Sequence, residues 1–247
     1  ILLKRGSYMD TVKIIKGKTK LIAHRGLSGI ETENTAAAFV AAGNRDYYGI
    51  ETDVHKTADG KYIIIHDDNT GRVANENLSV EKSDFSVLRS LRLADKSGKA
   101  RQDLCLPTLE EYLRICRTYG KECVLELKNP FEKDDIKAIL KTVKNEYAAE
   151  HTIFISFVYE NLVTLRGLDK KAVIQYLYSD SVDDKLIEKL KKYNFGLDIH
   201  YGRLTEKNIA LLHESGTAVN CWTVDDKKTA EKLAGWGVDY ITTNILE

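Results

Sequence analysis

Short runs rich in β-branched residues alternate with amphipathic stretches along most of the chain. The strand-like runs are KLIAH (20–24), YGIETDV (48–54), ECVLEL (122–127), TIFIS (152–156), AVIQYLY (172–178), FGLDI (195–199), AVNCW (218–222) and VDYIT (238–242). Between them, segments 34–43, 108–119, 133–147, 159–166, 182–192, 205–214 and 226–235 carry apolar residues at helical spacing. In LTEKNIALLHESG, Thr205 predicts the cap and Gly216 the stop. In PTLEEYLRIC, Pro107 is expected at the first helical position, where a missing N–H costs little. Strands alternating with helices predict a parallel α/β sheet. At 247 residues the chain could form two small domains or one barrel, and eight strands favour a single (β/α)8 TIM barrel.

A ninth run, KYIIIH (61–66), breaks the alternation. Only 12 residues separate Asp53 from His66, too few for a crossover helix. They contain Asp59-Gly60, a strong two-residue hairpin signal. Folding about that turn sets Ala58 opposite Lys61 and Asp53 opposite His66, so an acid and an imidazole would share a face. Residues 67–105 are polar and show no long periodic element. They are expected as an insertion between the second strand and the second helix, beside the site of a single domain spanning 1–247. Met9 is the only methionine and is expected to be the natural start, with residues 1–8 foreign to the chain.

Composition narrows the function classes. Lys plus Arg (37) equals Asp plus Glu (37), so no net electrostatic pull toward nucleic acid or anionic membrane is expected, and any phosphate recognition must be local. No apolar run approaches the ~20 residues of a membrane span, and ILLKRGSYMD is too short and too charged for a signal peptide. Cys105, Cys116, Cys123 and Cys221 have no C-x-x-C spacing, which predicts free, buried thiols in a reducing compartment and a cytoplasmic protein.

The polar residues that the strand pattern does not explain sit at strand ends, where a parallel barrel gathers its active site. The first strand closes with His24-Arg25-Gly26. The second carries Glu51 and Asp53 at i, i+2, on one face. The third ends in Glu126-Leu127-Lys128, so an acid and an ammonium share a face, and the seventh ends at Trp222. Singly, each has a structural explanation: a capped loop, a strand-end ion pair, a barrel plug. Jointly, three carboxylates make an all-oxygen site suited to Mg²⁺ or Ca²⁺. Arg25 and Lys128 supply fixed positive charge for a phosphate, and His24 and His66 offer general acid and base. That constellation suits phosphodiester cleavage.

The pattern HR, 25 residues, E-x-D, 12 residues, HD resembles the signature of glycerophosphodiester phosphodiesterases. ETENTAAAF, TADGKYIIIHD, LPTLEEYL, LELK, ISF and NCWTVDD followed by GVDYITTN occur in the family's order, covering about residues 20–244. The resemblance implies a metal site of Glu51, Asp53 and Glu126, and catalytic histidines His24 and His66. It implies phosphate binding by Arg25 and Lys128, and Trp222 lining the glycerol pocket. The substrate would be a small glycerophosphodiester, hydrolysed to glycerol 3-phosphate and an alcohol, with no nucleic-acid partner. Asn244 stands where the family more often has Asp, and no eighth helix is expected after the last strand; neither departure is expected to bear on catalysis.

Two alternatives stay open on sequence: a lyase of the same fold that stops at a cyclic phosphate, and a non-catalytic barrel that binds a phosphorylated ligand. Of the other histidines, His55 is expected to be solvated on the hairpin. His151 and His213 are expected at the surface, and His200 near the barrel mouth.

Overall fold

The computed structural model describes residues 10–247, so the segment 1–8 and Met9 lie outside the described residues. The chain runs β1 (Lys20–Ala23), α1 (Ala36–Gly43), β2 (Gly49–Lys56), β3 (Tyr62–Ile64), α2 (Phe85–Ser90), α3 (Leu109–Tyr119), β4 (Glu122–Leu127) and α4 (Lys133–Glu146). It continues with β5 (Thr152–Ser156), α5 (Tyr159–Leu168), β6 (Val173–Tyr178), α6 (Asp184–Tyr193), β7 (Gly196–His200), α7 (Glu206–Glu214), β8 (Val219–Trp222), α8 (Lys227–Gly235) and β9 (Tyr240–Thr243). The order β1-β9-β8-β7-β6-β5-β4-β2 closes through a β1–β2 pairing, all parallel, with helices between the strands. This is the expected TIM barrel. Residues 244–247 after β9 form no helix, and no helix of the described residues is long and apolar enough to cross a membrane.

The helices pack apolar stripes against the strands. α3 buries Leu109, Tyr112, Leu113 and Cys116, and the Tyr112 hydroxyl donates to Ile50 O (2.7 Å) while accepting from Val124 N (3.0 Å). Leu109, not Pro107, holds the first helical position, and Thr108 is the N-cap. Its hydroxyl accepts from Glu111 N, and the Glu111 carboxylate accepts from Thr108 N, a capping box that satisfies two otherwise unpaired donors. Pro107 lies just outside, where its carbonyl accepts from Ile64 N (2.9 Å) and ties the hairpin to the helix start. Thr205 caps α7 as expected, and Gly216 follows that helix at φ +77°.

The hairpin forms, but one residue out of the expected register. Val54 pairs Ile64, His55 pairs Ile63 and Lys56 pairs Tyr62. The loop therefore holds three residues, Ala58-Asp59-Gly60, with Gly60 at φ +75°. Three-residue loops take a left-handed residue at this position. The Thr57 hydroxyl widens the turn by donating to Asp59 Oδ1 (2.6 Å) and accepting from Lys61 N (3.0 Å). Asp53 O consequently accepts from Ile65 N (3.1 Å), and His66 is not its cross-strand partner.

β2 is longer than its barrel neighbours need. Gly49 and Ile50 pair with β1, and only Val54–Lys56 pair with β3, so the strand overhangs the rim. The run Ile63-Ile64-Ile65 is apolar throughout because both faces of the chain here are buried. Ile64 enters the main core, whereas Ile63 and Ile65 join Val80, Leu88, Leu93 and Leu104 in a second cluster built by the insertion. Its only α-helix is the six-residue α2.

Candidate active site

β2 and β4 are neighbours in the barrel, and their register sets Asp53 beside Glu126. Glu51, one pleat deeper, completes a cluster whose carboxylate oxygens lie within 4.8 Å of one another. All three are buried, at 3%, 1% and 7% exposure for Glu51, Asp53 and Glu126, so each needs a partner. Lys128 Nζ lies 3.0 Å from Glu126 Oε1 and 3.5 Å from Asp53 Oδ1. Asn34 Nδ2 donates to Asp53 Oδ2 (2.8 Å), and Arg25 N donates to Glu51 Oε2 (2.8 Å). That last bond requires a sharp reversal after β1: Arg25 and Gly26 have φ of +54° and +74°. A Cβ on Gly26 would fall 2.7 Å from Ala38, which explains the glycine in HRG.

The charges are unevenly settled. Burial alone would raise Asp53, but Lys128, His66, Arg25 and the Asn34 amide hold it down at about 2. Burial and the adjacent Asp53 push Glu126 up to about 8. Burial, Asp53 and Glu126 push Glu51 well above the carboxylate range. These acids suit a small hard cation. Oxygens across an ion at ~2.0–2.6 Å span ~4–5 Å, Asp53 Oδ1 is buried without a hydrogen bond, and the protons on Glu51 and Glu126 are those a cation would displace.

Above the acids, His24, Arg25, His66, Phe157 and Trp222 help line a cavity of about 110 Å³, several times what one water needs. His24 Nδ1–H donates to Asn244 Oδ1 (2.8 Å), which also accepts from Ser28 Oγ (2.6 Å). The Asn244 amide is fixed in turn, because its Nδ2 donates to Asp225 Oδ2 (2.6 Å). The proton therefore sits on Nδ1 of His24 and leaves Nε2 with a lone pair. Loss of solvation, then Arg25, takes this ring down to about 4. His66 instead sets its Nδ1 against a carboxylate, Asp67 Oδ1, at 2.7 Å.

The sequence of residues 24–247 matches the profile of the glycerophosphoryl diester phosphodiesterase family. The chain belongs to that family. It is 30% identical over 230 residues to YhdW of Bacillus subtilis (strain 168), covering 91% of this chain and 93% of that one. It is 28% identical over 244 residues to a glycerophosphodiester phosphodiesterase of the same organism, covering 90% and 82%. Among solved structures, an Oleispira antarctica phosphodiesterase in complex with the product sn-glycerol-3-phosphate superimposes with a TM-score of 0.84 at 28% identity, over 91% of this chain and 92% of that one.

In this phosphodiesterase His24, Arg25, Glu51, His66, Glu126 and Trp222 line one cavity, and Asp53 and Lys128 stand directly behind them through the ion pairs above. Both cations are held by acids: Arg25 Nη1 pairs with Glu33 (2.8 Å), and its Nε lies 3.7 Å from Asp53. Arg72, from the insertion, bridges Glu33 (2.8 Å) and Asp67 (2.6 Å) and so links the surroundings of Arg25 to those of His66. Sequence reasoning passed over Arg72, Asn34 and Glu33, although the last two lie in the ENT segment. It also set Asn244 apart from the chemistry, whereas that side chain is bonded to His24. His55 is fully buried rather than solvated: β3 covers it, its Nε2 lies 3.3 Å from His66 O, and its Nδ1 lies 3.3 Å from Asn129 Nδ2. His200 stands edge-on to Trp222, with ring centroids 5.5 Å apart. His151 and His213 pair with Glu122 and Asp239 at the surface.

Proposed function

We propose that this phosphodiesterase hydrolyses glycerophosphodiesters to glycerol 3-phosphate and an alcohol, with His24 as general base, His66 as general acid and a divalent cation, Mg²⁺ or Ca²⁺, held by Glu51, Asp53 and Glu126. The observation that carries the division of labour is the difference between the two Nδ1 partners. A neutral amide behind His24 suits a ring that begins unprotonated and accepts through Nε2. A carboxylate behind His66 suits a ring that carries a second proton and gives it up. The product named for the Oleispira relative supports glycerol 3-phosphate as the product here.

The cation, when bound, neutralises phosphoryl charge and lowers the pKa of a neighbouring hydroxyl. Arg25 and Lys128 attract and orient the phosphoryl group, with Glu33 and the acid cluster keeping both side chains extended toward it. Trp222 walls the glyceryl half. His24 Nε2 takes the proton of the attacking glyceryl hydroxyl as His66 protonates the leaving oxygen. A water then opens the cyclic phosphate with the two rings in exchanged roles.

A diester with a 4-nitrophenolate leaving group needs no general acid. It should restore turnover to His66→Ala and not to His24→Ala, while each variant loses ~10²–10⁴-fold on an alkyl headgroup. Rescue of His24→Ala instead would reverse the assignment, and rescue of neither would end it. Phosphorus NMR reports the product: accumulation of a cyclic phosphate by the wild type would make the protein a lyase.

A further inference from the structure

The cavity has a second acidic wall that the mechanism above leaves unused. Asp198 lies on β7, four strands round the barrel from β2, and faces the cavity from the side opposite Glu51. It is 2% exposed, its Oδ1 is buried without a hydrogen-bond partner, and its carboxyl forms no ion pair among the described residues. It is also not part of the cluster formed by Glu51, Asp53 and Glu126. Around it the lining is apolar, with Ile155, Leu177 and the Trp222 ring. The Trp222 indole N–H donates to the Asp198 backbone carbonyl (3.3 Å), which joins the two neighbouring strands at the cavity wall. An unpartnered buried carboxyl is costly. β6 places Leu177 in the register position on one side of it, and β8 places on the other Asn220, whose amide is engaged with Gln175 and Thr242 instead. Burial, then the Glu126 carboxylate, pushes this carboxyl well above the usual range, and a carboxyl in its neutral form offers both a donor and an acceptor.

We propose that Asp198 is a specificity-determining residue that hydrogen-bonds a free hydroxyl of the substrate's glyceryl half. The proposal rests on the phosphodiesterase reading above. The phosphoryl anion belongs against Arg25 and the histidines. The uncharged carbon chain is then the part of the substrate that reaches the opposite wall, its carbons against Leu177 and Trp222 and a hydroxyl at Asp198. A buried group left unpaired by an analogue that lacks the hydroxyl gives strong discrimination.

The test is titration calorimetry of the metal-loaded protein with sn-glycerol 3-phosphate and with n-propyl phosphate, which keeps the phosphate and the chain length but has neither hydroxyl. Asp198→Ala should weaken glycerol 3-phosphate about 10-fold, the scale of one hydrogen bond to a buried acid, and leave n-propyl phosphate within about 2-fold. Asp198→Asn, which keeps size and hydrogen-bonding capacity, should retain most of the preference. Equal weakening of both ligands, unchanged binding of glycerol 3-phosphate by Asp198→Ala, or failure of either variant to fold would overturn the proposal. The enzymatic reading fails by a different result, namely no glycerol 3-phosphate released from glycerophosphocholine by the wild type.

Discussion

Exchanging the amide and the carboxylate behind His24 should move the pH range in which the enzyme works. His24 donates to a neutral acceptor, Asn244 Oδ1, and Asp225 stands one group further back, accepting from the Asn244 backbone N–H (2.8 Å) and its amide (2.6 Å). Asn244→Asp alone would set two carboxylates face to face, and one of them would take up a proton. The informative variant is the double exchange Asn244→Asp/Asp225→Asn. It keeps an acceptor toward His24 and Ser28 and an amide behind it, and brings the negative charge one group closer to the ring. A unit charge about 4 Å away contributes about 4 kcal/mol at an effective dielectric of 20, and at twice that distance about 2 kcal/mol. The difference amounts to about 1.5 pKa units, upward, because an anion favours the protonated ring. His24 starts at about 4. In the proposed role of base it works when deprotonated, so the acid limb of kcat/KM should rise by about that amount with the plateau near neutral pH retained. Ring chemical shifts of His24, followed in parallel, separate its titration from that of Glu51, Asp53 and Glu126. An acid limb and a ring titration that both stay in place would refute the reasoning.

Other outcomes follow from the same geometry. Glu126→Gln should fold but lose metal-dependent turnover, and excess chelator should silence the wild type; full activity after stripping would exclude the cation. Because Glu126 is raised to about 8 from an ordinary value of 4.5, the folded metal-free protein binds more protons than the unfolded chain between those values. Its stability should therefore fall as pH rises across that window, with Tm lower at pH 8 than at pH 5, and Mg²⁺ or Ca²⁺ should reduce the drop. Arg72→Met, at a half-exposed position, should change Tm little but lower kcat about 10-fold by releasing Asp67 and Glu33. Other substitutions within 67–105 should alter relative kcat/KM among choline, ethanolamine and inositol headgroups, and an equal response of all three would make the segment structural.

The barrel was legible in the sequence because its signal is local. β-branched runs mark strands, and i, i+2 spacing puts Glu51 with Asp53, and Glu126 with Lys128, on one face. The hairpin's existence was equally local, but its register turned on one hydroxyl, Thr57, competing for the loop backbone. What the sequence hid depends on long-range meetings. Asn244 reaches His24 across 220 positions, and Arg72 reaches Glu33 only because the insertion folds over the rim. His55 reads as an exposed hairpin position until the overhang is covered. Asp198 had a faint signal, a lone acid at an inward position of GLDIH, but only barrel closure shows that it faces the acid cluster.

The insertion carries its own apolar cluster, joined to the barrel along β3, where Ile63 and Ile65 face one way and Ile64 the other. A cover with its own interior can open as a separate cooperative unit. Amide exchange in 67–105 should then report a lower opening energy than exchange in β2 or β4. The same partition makes the cover a natural unit for recombination. A graft would have to preserve the alternating isoleucines of β3, an arginine where Arg72 stands and the bonds that tie the cover to the rim, such as Arg89 with Glu111 and Lys96 with Ser28 O, while the acids and His24 keep their places.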